Sequence, residues 1–278
     1  MSGSGGKIYV LTRGGFGNVL FNFLISADLS KRYQMPLYLI TQSDGKRVPI
    51  SDYDIFQGYS FCSGNEVPPG TIRIGEPGHF YSPILTLNPN QSYLLDGYYQ
   101  SYKYSESTFS TIKLELFNNI PEKYASMQKQ MASLKGEKET ILVHVRRGDY
   151  LNLPQYHPTQ SDLYYQNSLN LITKDADLNK FKLLVFSDDL NFVQNWKLLK
   201  DWDFEIVDRS DVVETFILMS LADNFIISNS SYSLLAYYFR DRPEAKLCAP
   251  SKWFGPSGPR YKMDDLIDLS NNNVKILD

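Results

Sequence analysis

Cysteine is nearly absent: Cys62 and Cys248 are the only two in 278 residues, far apart and without metal-ligand spacing. Two free thiols in a reducing compartment are the economical reading, with one disulfide between them as the unsupported alternative. Histidine is almost as scarce, with His79, His144 and His157 forming no zinc-like or H-E-x-x-H arrangement. A G-x-S-x-G nucleophile elbow is missing too. Positive charge is not in excess, since 28 Lys and Arg face 31 Asp and Glu for a net charge of -3. The broad cationic field that nucleic acid or an anionic membrane selects for is therefore lacking. Long apolar runs are lacking as well. Val19 to Ala27 and Phe225 to Phe239 are interrupted by Asn22, Asn229, Ser230 and Ser231, short of the roughly 20 residues a membrane helix needs. The expectation is a soluble, cytoplasmic chain that binds no nucleic acid and has no transmembrane segment, with peripheral membrane contact left open. The opening Met-Ser-Gly-Ser-Gly-Gly reads as a flexible tail or a cloning remnant, not as a secretory signal. No repeat of 20 to 50 residues is visible.

What the chain does contain is a core-forming hydrophobic share of 42% and an aromatic share of 14%, including 20 tyrosines. Rings of this kind suit sugar faces, and tyrosine-rich cores give the same count. Ile8 to Leu11, a glycine cluster, a helical stretch from Asn18 to Tyr33 and Leu37 to Ile40 read as a βαβ unit. Thr41 to Asn90 is rich in proline and glycine and reads as loop, Tyr93 to Leu95 as a strand, and Ser105 to Leu134 as helical. After the polar Lys135-Gly136-Glu137-Lys138-Glu139, strands and helices alternate again: strands Ile141 to Val145, Lys182 to Phe186, Phe204 to Val207, Asn224 to Ser228 and Ala245 to Ala249. Helices are expected between them at Leu163 to Thr173, Leu190 to Leu199, Val213 to Ala222 and Tyr232 to Phe239. This alternation specifies parallel sheets in an α/β fold. Two Rossmann-like domains, 7–135 and 136–278, facing across a cleft are expected.

Chemistry concentrates at the carboxyl ends of these strands, where open α/β sheets bind ligands. His144-Val145-Arg146-Arg147-Gly148-Asp149 offers two fork-shaped cations to a diphosphate, doing the work of a Mg²⁺ ion; alternatively one arginine pairs with Asp149. His144 either contacts a nucleotide or fills the strand end. Gly14-Gly15-Phe16-Gly17-Asn18 allows close backbone approach to an anion, or is a tight turn with Asn18 as N-cap. In Ser187-Asp188-Asp189 one aspartate reads as an N-cap and the other as free for guanine or ribose, with structural capping by both as the alternative. Asn229-Ser230-Ser231 offers hydroxyls and helix amides to phosphate, and capping alone explains at least one serine. The acidic triplets Asp52/Asp54, Asp175/Asp177 and Asp201/Asp203 follow no clear apolar strand, so no metal or other cofactor is expected.

These segments together resemble the α-1,2-fucosyltransferase family of inverting glycosyltransferases. Gly14 to Asn18 resembles its Gly-Gly-Leu-Gly-Asn-Gln start, with Val19 in place of the Gln. Gly97-Tyr98-Tyr99-Gln100-Ser101 resembles Gly-Tyr-Trp-Gln-Ser, and His144 to Tyr150 with Tyr164-Tyr165 resembles H-x-R-R-G-D-Y…Y-Y. Phe186 to Asp189, the segment from Leu218 to Ser233, and Ala249 to Phe254 follow in the family's order; Leu234-Leu235 replaces its tryptophan pair. The resemblance implies a GT-B architecture, GDP-fucose as donor, inversion and no required metal. It implies donor contacts from Gly15, Gly17, Asn18, His144, Arg146, Ser187, Asp188, Asp189, Asn229, Ser230 and Ser231, with Arg146 on the β-phosphate. Arg146 and Arg147 would meet the leaving charge. His157 is the candidate base, with an ordinary pKa near 6.5, and Asp149 is its rival. A galactose-terminated glycan is the expected acceptor, with Tyr98, Tyr99, Gln100 and Tyr102 as a sugar platform; an edge strand of core tyrosines is the alternative. A protein or core-glycan fucosyltransferase, or a non-catalytic sugar-nucleotide-binding module, would share the same donor motifs.

Overall fold

The computed structural model describes residues 5–41, 49–76, 78–84, 86–174 and 176–278. Asp175, Pro77 and the first four residues lie outside them. The chain divides into two units, one running to Pro121 and including Arg260–Ile267, the other Glu122–Pro259 with Asp268–Asp278.

In the first unit β1 (Ile8–Leu11), β2 (Leu37–Ile40), β3 (Ser60–Cys62), β4 (Ile72–Gly75) and β5 (Tyr93–Asp96) form a sheet in the order β3-β2-β1-β5-β4, all pairs parallel. Ile8 and Val10 of the central strand are fully buried. Between β1 and β2 runs α1 (Phe16–Tyr33), which buries Phe16, Leu20, Phe23, Leu24 and Ala27 at three- and four-residue spacing. It ends where Gln34 takes the left-handed conformation and its N–H returns to Ser30 and Lys31 carbonyls, with Lys31 and Arg32 complementing the helix dipole. α2 (Phe109–Asn118) completes this unit's longer helices.

The second unit opens with α3 (Pro121–Lys135), proline standing at the first helical position. Then come β6 (Glu139–Val145), α4 (Asp162–Thr173), β7 (Phe181–Ser187), α5 (Leu190–Gln194), β8 (Phe204–Ile206), α6 (Val212–Ser220), β9 (Asn224–Ile226), α7 (Ser231–Tyr238), β10 (Leu247–Pro250) and β11 (Val274–Leu277). The parallel order β11-β10-β9-β6-β7-β8 is that of a Rossmann sheet counted from β6. Ile141, Val143 and Val145 pack with Tyr164, Leu169, Leu183 and Val185 on one side of it. The chain leaves β6 toward β7 and β8 and returns to its other flank through β9, so a crevice is expected at the carboxyl ends of β6 and β9. In the first unit the same reversal falls between β1 and β5.

Several expected elements differ. The helical stretch from Ser105 to Leu134 is two helices, because Pro121 has no N–H with which to continue the first. The helix expected to reach Leu199 stops at Gln194 and resumes only as the 3-10 turn Lys197–Leu199. β3 and β4 lie in the stretch read as loop. The two units divide at the first residue of α3, whereas the polar stretch in the sequence suggests a boundary at its end.

Candidate functional site

The crevice expected in the second unit centres on the carboxyl end of β6. At its end His144 is buried, with Nδ1 2.8 Å from Ser233 Oγ and 2.9 Å from Ser228 Oγ. Burial, with help from Arg146, pushes its pKa down to about 4, so the ring is neutral at neutral pH. Nδ1 has one hydrogen-bonding position for these two hydroxyls, and Ser233 Oγ also donates to the Ser230 carbonyl at 3.3 Å. The strand end is pinned by Tyr165, whose hydroxyl donates to the His144 carbonyl (3.0 Å). Tyr164 does the same for the neighbouring strands, reaching the Ile227 (2.5 Å) and Cys248 (3.0 Å) carbonyls.

The two arginines have different partners. Arg146 Nη2 lies 2.6 Å from Asp149 Oδ1 and Nη1 2.8 Å from Asp188 Oδ2, with the guanidinium carbon 5.2 Å from the Tyr150 ring centre. Arg147 instead donates Nε to Asp189 (3.0 Å) and lies 3.8 Å over the Phe192 ring, while its backbone N–H donates to Asp188 Oδ1 (2.8 Å). An Asp149 ion pair, where expected, therefore falls on Arg146 rather than Arg147. Asp189 is the N-cap of α5, accepting from Phe192 N–H at 3.1 Å; that bond and Arg147 hold its pKa below the usual carboxylate range. Asp188 holds the Arg146 guanidinium and the Arg147 backbone N–H. Ser187 Oγ accepts the Asp189 N–H at 3.0 Å. The close approach of Asp188 depends on Gly148, where a Cβ would stand 2.4 Å from Asp188 Oδ2. Sequence spacing does not show this contact.

At the end of β9, Asn229 is buried, its amide donating to the Trp253 carbonyl (2.9 Å) and its oxygen accepting from Gln160 (3.0 Å). Ser230 caps α7 through Tyr232 N–H (3.3 Å), and Ser231 begins the helix. His157 stacks on Tyr150 at 4.5 Å between ring centres, 10° from parallel, and contacts Tyr156 and Phe254. Burial lowers its pKa. Tyr150 is pushed up to about 12, chiefly by burial, and donates its hydroxyl to the Asn229 carbonyl at 3.0 Å.

In the first unit Gly14 adopts a φ of 81°, and a Cβ there would meet Asn18 Nδ2 at 2.3 Å, so only glycine fits. The N-cap of α1 is Gly15, not Asn18, and Gly17 is buried within the first turn. Asn18 Oδ1 accepts from Gln100 Nε2 at 2.6 Å. Of the expected sugar platform, Tyr99 must be withdrawn: it is a core residue, 2% exposed, with its hydroxyl on the Ile74 carbonyl at 2.7 Å. Gln100 is buried on Asn18 as well. Tyr98, stacked on His79 at 5.3 Å, and Tyr102, 5.9 Å from Lys103 Nζ, stay partly exposed.

Residues 83–254, more than half of the chain, match the model of Glycosyl transferase family 11. The chain belongs to that family. Among curated relatives, the family 11 chain is 30% identical over 137 residues to the O-antigen biosynthesis glycosyltransferase WbnK of Escherichia coli, which covers 47% of this chain and 44% of the relative. It is 31% identical over 128 residues to an α-1,2-colitosyltransferase of the same species, covering 41% of each. Both matches span less than half of the relative's length. Among solved structures, NodZ fucosyltransferase from Bradyrhizobium superposes with a TM-score of 0.53 at 13% identity, over 92% of this chain and 98% of that one. POFUT1 in complex with GDP superposes with a TM-score of 0.53 at 12% identity, over 87% and 96%. The two-sheet α/β architecture of family 11 here is thus the GT-B fold. No helix among the described residues is long and apolar enough to cross a membrane. Among the acidic triplets, Asp52 and Asp54 sit in 3-10 turns and Asp203 pairs with Lys138 at 2.8 Å. Cys62 and Cys248 are buried free thiols.

Proposed function

We propose that this chain is an inverting, metal-independent fucosyltransferase of the cytoplasm that moves L-fucose from GDP-fucose to O2 of a terminal β-galactoside. The observation that carries the reading is a guanidinium pair, Arg146 and Arg147, at the switch point of a Rossmann sheet in a family 11 chain. NodZ and POFUT1, which share the fold, hold GDP, and this suits the same donor. In this reading a phosphate oxygen replaces Asp149 on Arg146, because Asp149 is the more exposed of its two carboxylate partners. As GDP departs, Arg146 meets the growing charge on the diphosphate and Arg147 reinforces it. Neutral His144 and the fixed carboxylate of Asp188 serve the nucleoside, and Ser230 and Ser231 serve the phosphates. His157, kept neutral by burial, takes the acceptor proton. Asp149 is a poorer base while paired with an arginine. Tyr98 and Tyr102 are the aromatic faces left for the sugar. A second reading, transfer of colitose, is favoured by the α-1,2-colitosyltransferase relative.

The test offers lactose, N-acetyllactosamine, chitobiose and a folded protein domain with GDP-fucose, with and without excess EDTA, and reads the product linkage by NMR. Fucose on O2 of galactose is expected, at a rate EDTA leaves within about twofold. Arg146→Ala should lower kcat/KM by at least about 100-fold, about 2.7 kcal/mol, in a protein folded by circular dichroism. Transfer to chitobiose or protein alone sinks the galactoside assignment, and Mn²⁺-restored loss on chelation sinks metal independence. Faster turnover of a nucleotide-linked colitose selects the second reading.

A further inference from the structure

The first unit carries charge of its own at its own switch point. Asp96, last residue of β5, is buried, and three bonds from two arginines meet its carboxylate. Arg13, just beyond β1, donates Nε (2.9 Å) and Nη2 (2.5 Å) to Oδ1. Arg73, on β4, donates Nη2 to Oδ2. Since β5 lies between β1 and β4, the two cations approach the same carboxylate from its two flanks. Two guanidiniums against one carboxylate leave one positive charge within this set, while the Glu76 carboxylate beside it accepts the Tyr98 N–H at 2.9 Å.

Other buried aspartates show that this balance is not a general habit of the chain. Asp223 has Lys135 and Arg242, but Arg242 also pairs with Glu244, so that set is neutral; it lies at the start of β9, the edge opposite to ligand crevices. Asp265 has Lys103, which also lies 3.9 Å from Asp264, and that set is negative. The Asp96 set is positive, lies at a carboxyl edge, and keeps donors in reserve. Arg13 Nη1 and Arg73 Nε and Nη1 have no acceptor among the described residues. The side chains are 44% and 68% exposed, whereas that of Asp96 is 4%. Buried Asn22 ties this set to the aromatic segment beside it, accepting from Arg13 N–H (3.2 Å) while donating to the Gly97 (2.8 Å) and Tyr98 (3.1 Å) carbonyls.

We propose that Arg13 and Arg73, mounted on Asp96, bind the carboxylate of an acidic sugar in the acceptor glycan. The unused N–H groups of the two planar guanidinium forks suit the two oxygens of a carboxylate. Asp96 is the positioning residue that holds both forks in place. Tyr98, which Asn22 fixes relative to Arg13, supplies the neighbouring ring face. The word acceptor rests on the fucosyltransferase reading; the anion site does not.

The experiment uses the full chain and two probes of one shape, a β-galactosyl glucuronate disaccharide and its carboxamide. Binding is measured by calorimetry and fucosyl transfer by turnover with GDP-fucose. Wild type should prefer the carboxylate at least about tenfold in affinity and in acceptor KM. Arg13→Gln/Arg73→Gln should bring the two probes to parity with the KM of GDP-fucose unchanged. If the double variant is unfolded, Arg73→Gln alone, which leaves Arg13 on Asp96, should reduce the preference at least about threefold. No preference in wild type, or one that survives in the folded variants, overturns the proposal. A rise confined to the GDP-fucose KM also overturns it, because the pair would then serve the donor. Carboxylate preference in binding without any fucosyl transfer leaves the anion site standing and removes the fucosyltransferase reading. Transfer without preference does the reverse.

Discussion

At the scale of single residues, the candidate donor site depends on a contact that exists because one residue has no side chain. Asp188 reaches Arg146 across the space a Cβ on residue 148 would fill. Gly148→Ala should therefore displace the carboxylate and turn Arg146 away, lowering kcat/KM for GDP-fucose by about 10- to 100-fold with the melting temperature within a few degrees. Gly75→Ala, where a Cβ meets nothing within 4 Å, is the control. Full activity in the Gly148 variant would show that the Asp188–Arg146 contact is not needed. The letters of the arginine motif and its place at a strand end were legible in the sequence. Which carboxylate pairs with which arginine was not, because Arg147 and Asp189 are brought together from 42 positions apart. Tyr99 was misread for a local reason. The density of aromatics in its segment suggested a surface platform, whereas its backbone leaves the extended region at a φ of 49° and its ring is 2% exposed, with the hydroxyl on the Ile74 carbonyl.

At the scale of elements, the apolar runs at β1, β2, β6 and β7 were legible because both faces of a parallel sheet are covered and the sequence stays hydrophobic throughout. β4 was not, since this edge strand is largely exposed and reads Ile-Arg-Ile-Gly, and β3 has only three residues. Just past the paired residues of β9 and β10, the Ile227 N–H donates to the Cys248 carbonyl at 3.0 Å, and the Tyr164 hydroxyl reaches both the Ile227 and the Cys248 carbonyls. Tyr164 is fully buried, so Tyr164→Phe removes the donor of the Ile227 carbonyl in a dry environment, while the Cys248 carbonyl keeps the Ile227 N–H. The expected cost is about 1–3 kcal/mol, seen as a lower midpoint in urea with the slope unchanged. A midpoint equal to wild type would mean that water replaces the hydroxyl. Because Ser228 to Ser231 follow β9 directly, the GDP affinity of the variant should weaken as well.

At the scale of the whole molecule, the buried histidines at one end of the pH range and a buried thiol and phenol at the other are held neutral, and this sets a window of stability. Burial lowers the pKa of all three histidines, His144 to about 4. The unfolded chain, with histidines near 6.5, binds more protons below that value than the native one does, so stability falls as pH drops from about 6.5 toward 4. His144 alone accounts for about 3 kcal/mol of that loss. Aspartates 189, 211, 223 and 265, held below their ordinary values, add to it only as pH falls below about 3.8, where the unfolded carboxylates take up protons first. At the alkaline end, burial raises Cys248 and Tyr150 to about 12. The unfolded chain then loses protons first, and stability declines as pH climbs past about 9. Thermal melts at constant ionic strength should peak between about pH 7 and 8 and fall most steeply between 6.5 and 4.5. His144→Asn should flatten the acidic limb even if it lowers the whole curve, because slope reports proton uptake while height reports packing. An unchanged slope in that variant would mean that His144 titrates normally, and the neutral ring assigned to the nucleoside site would have to be given up.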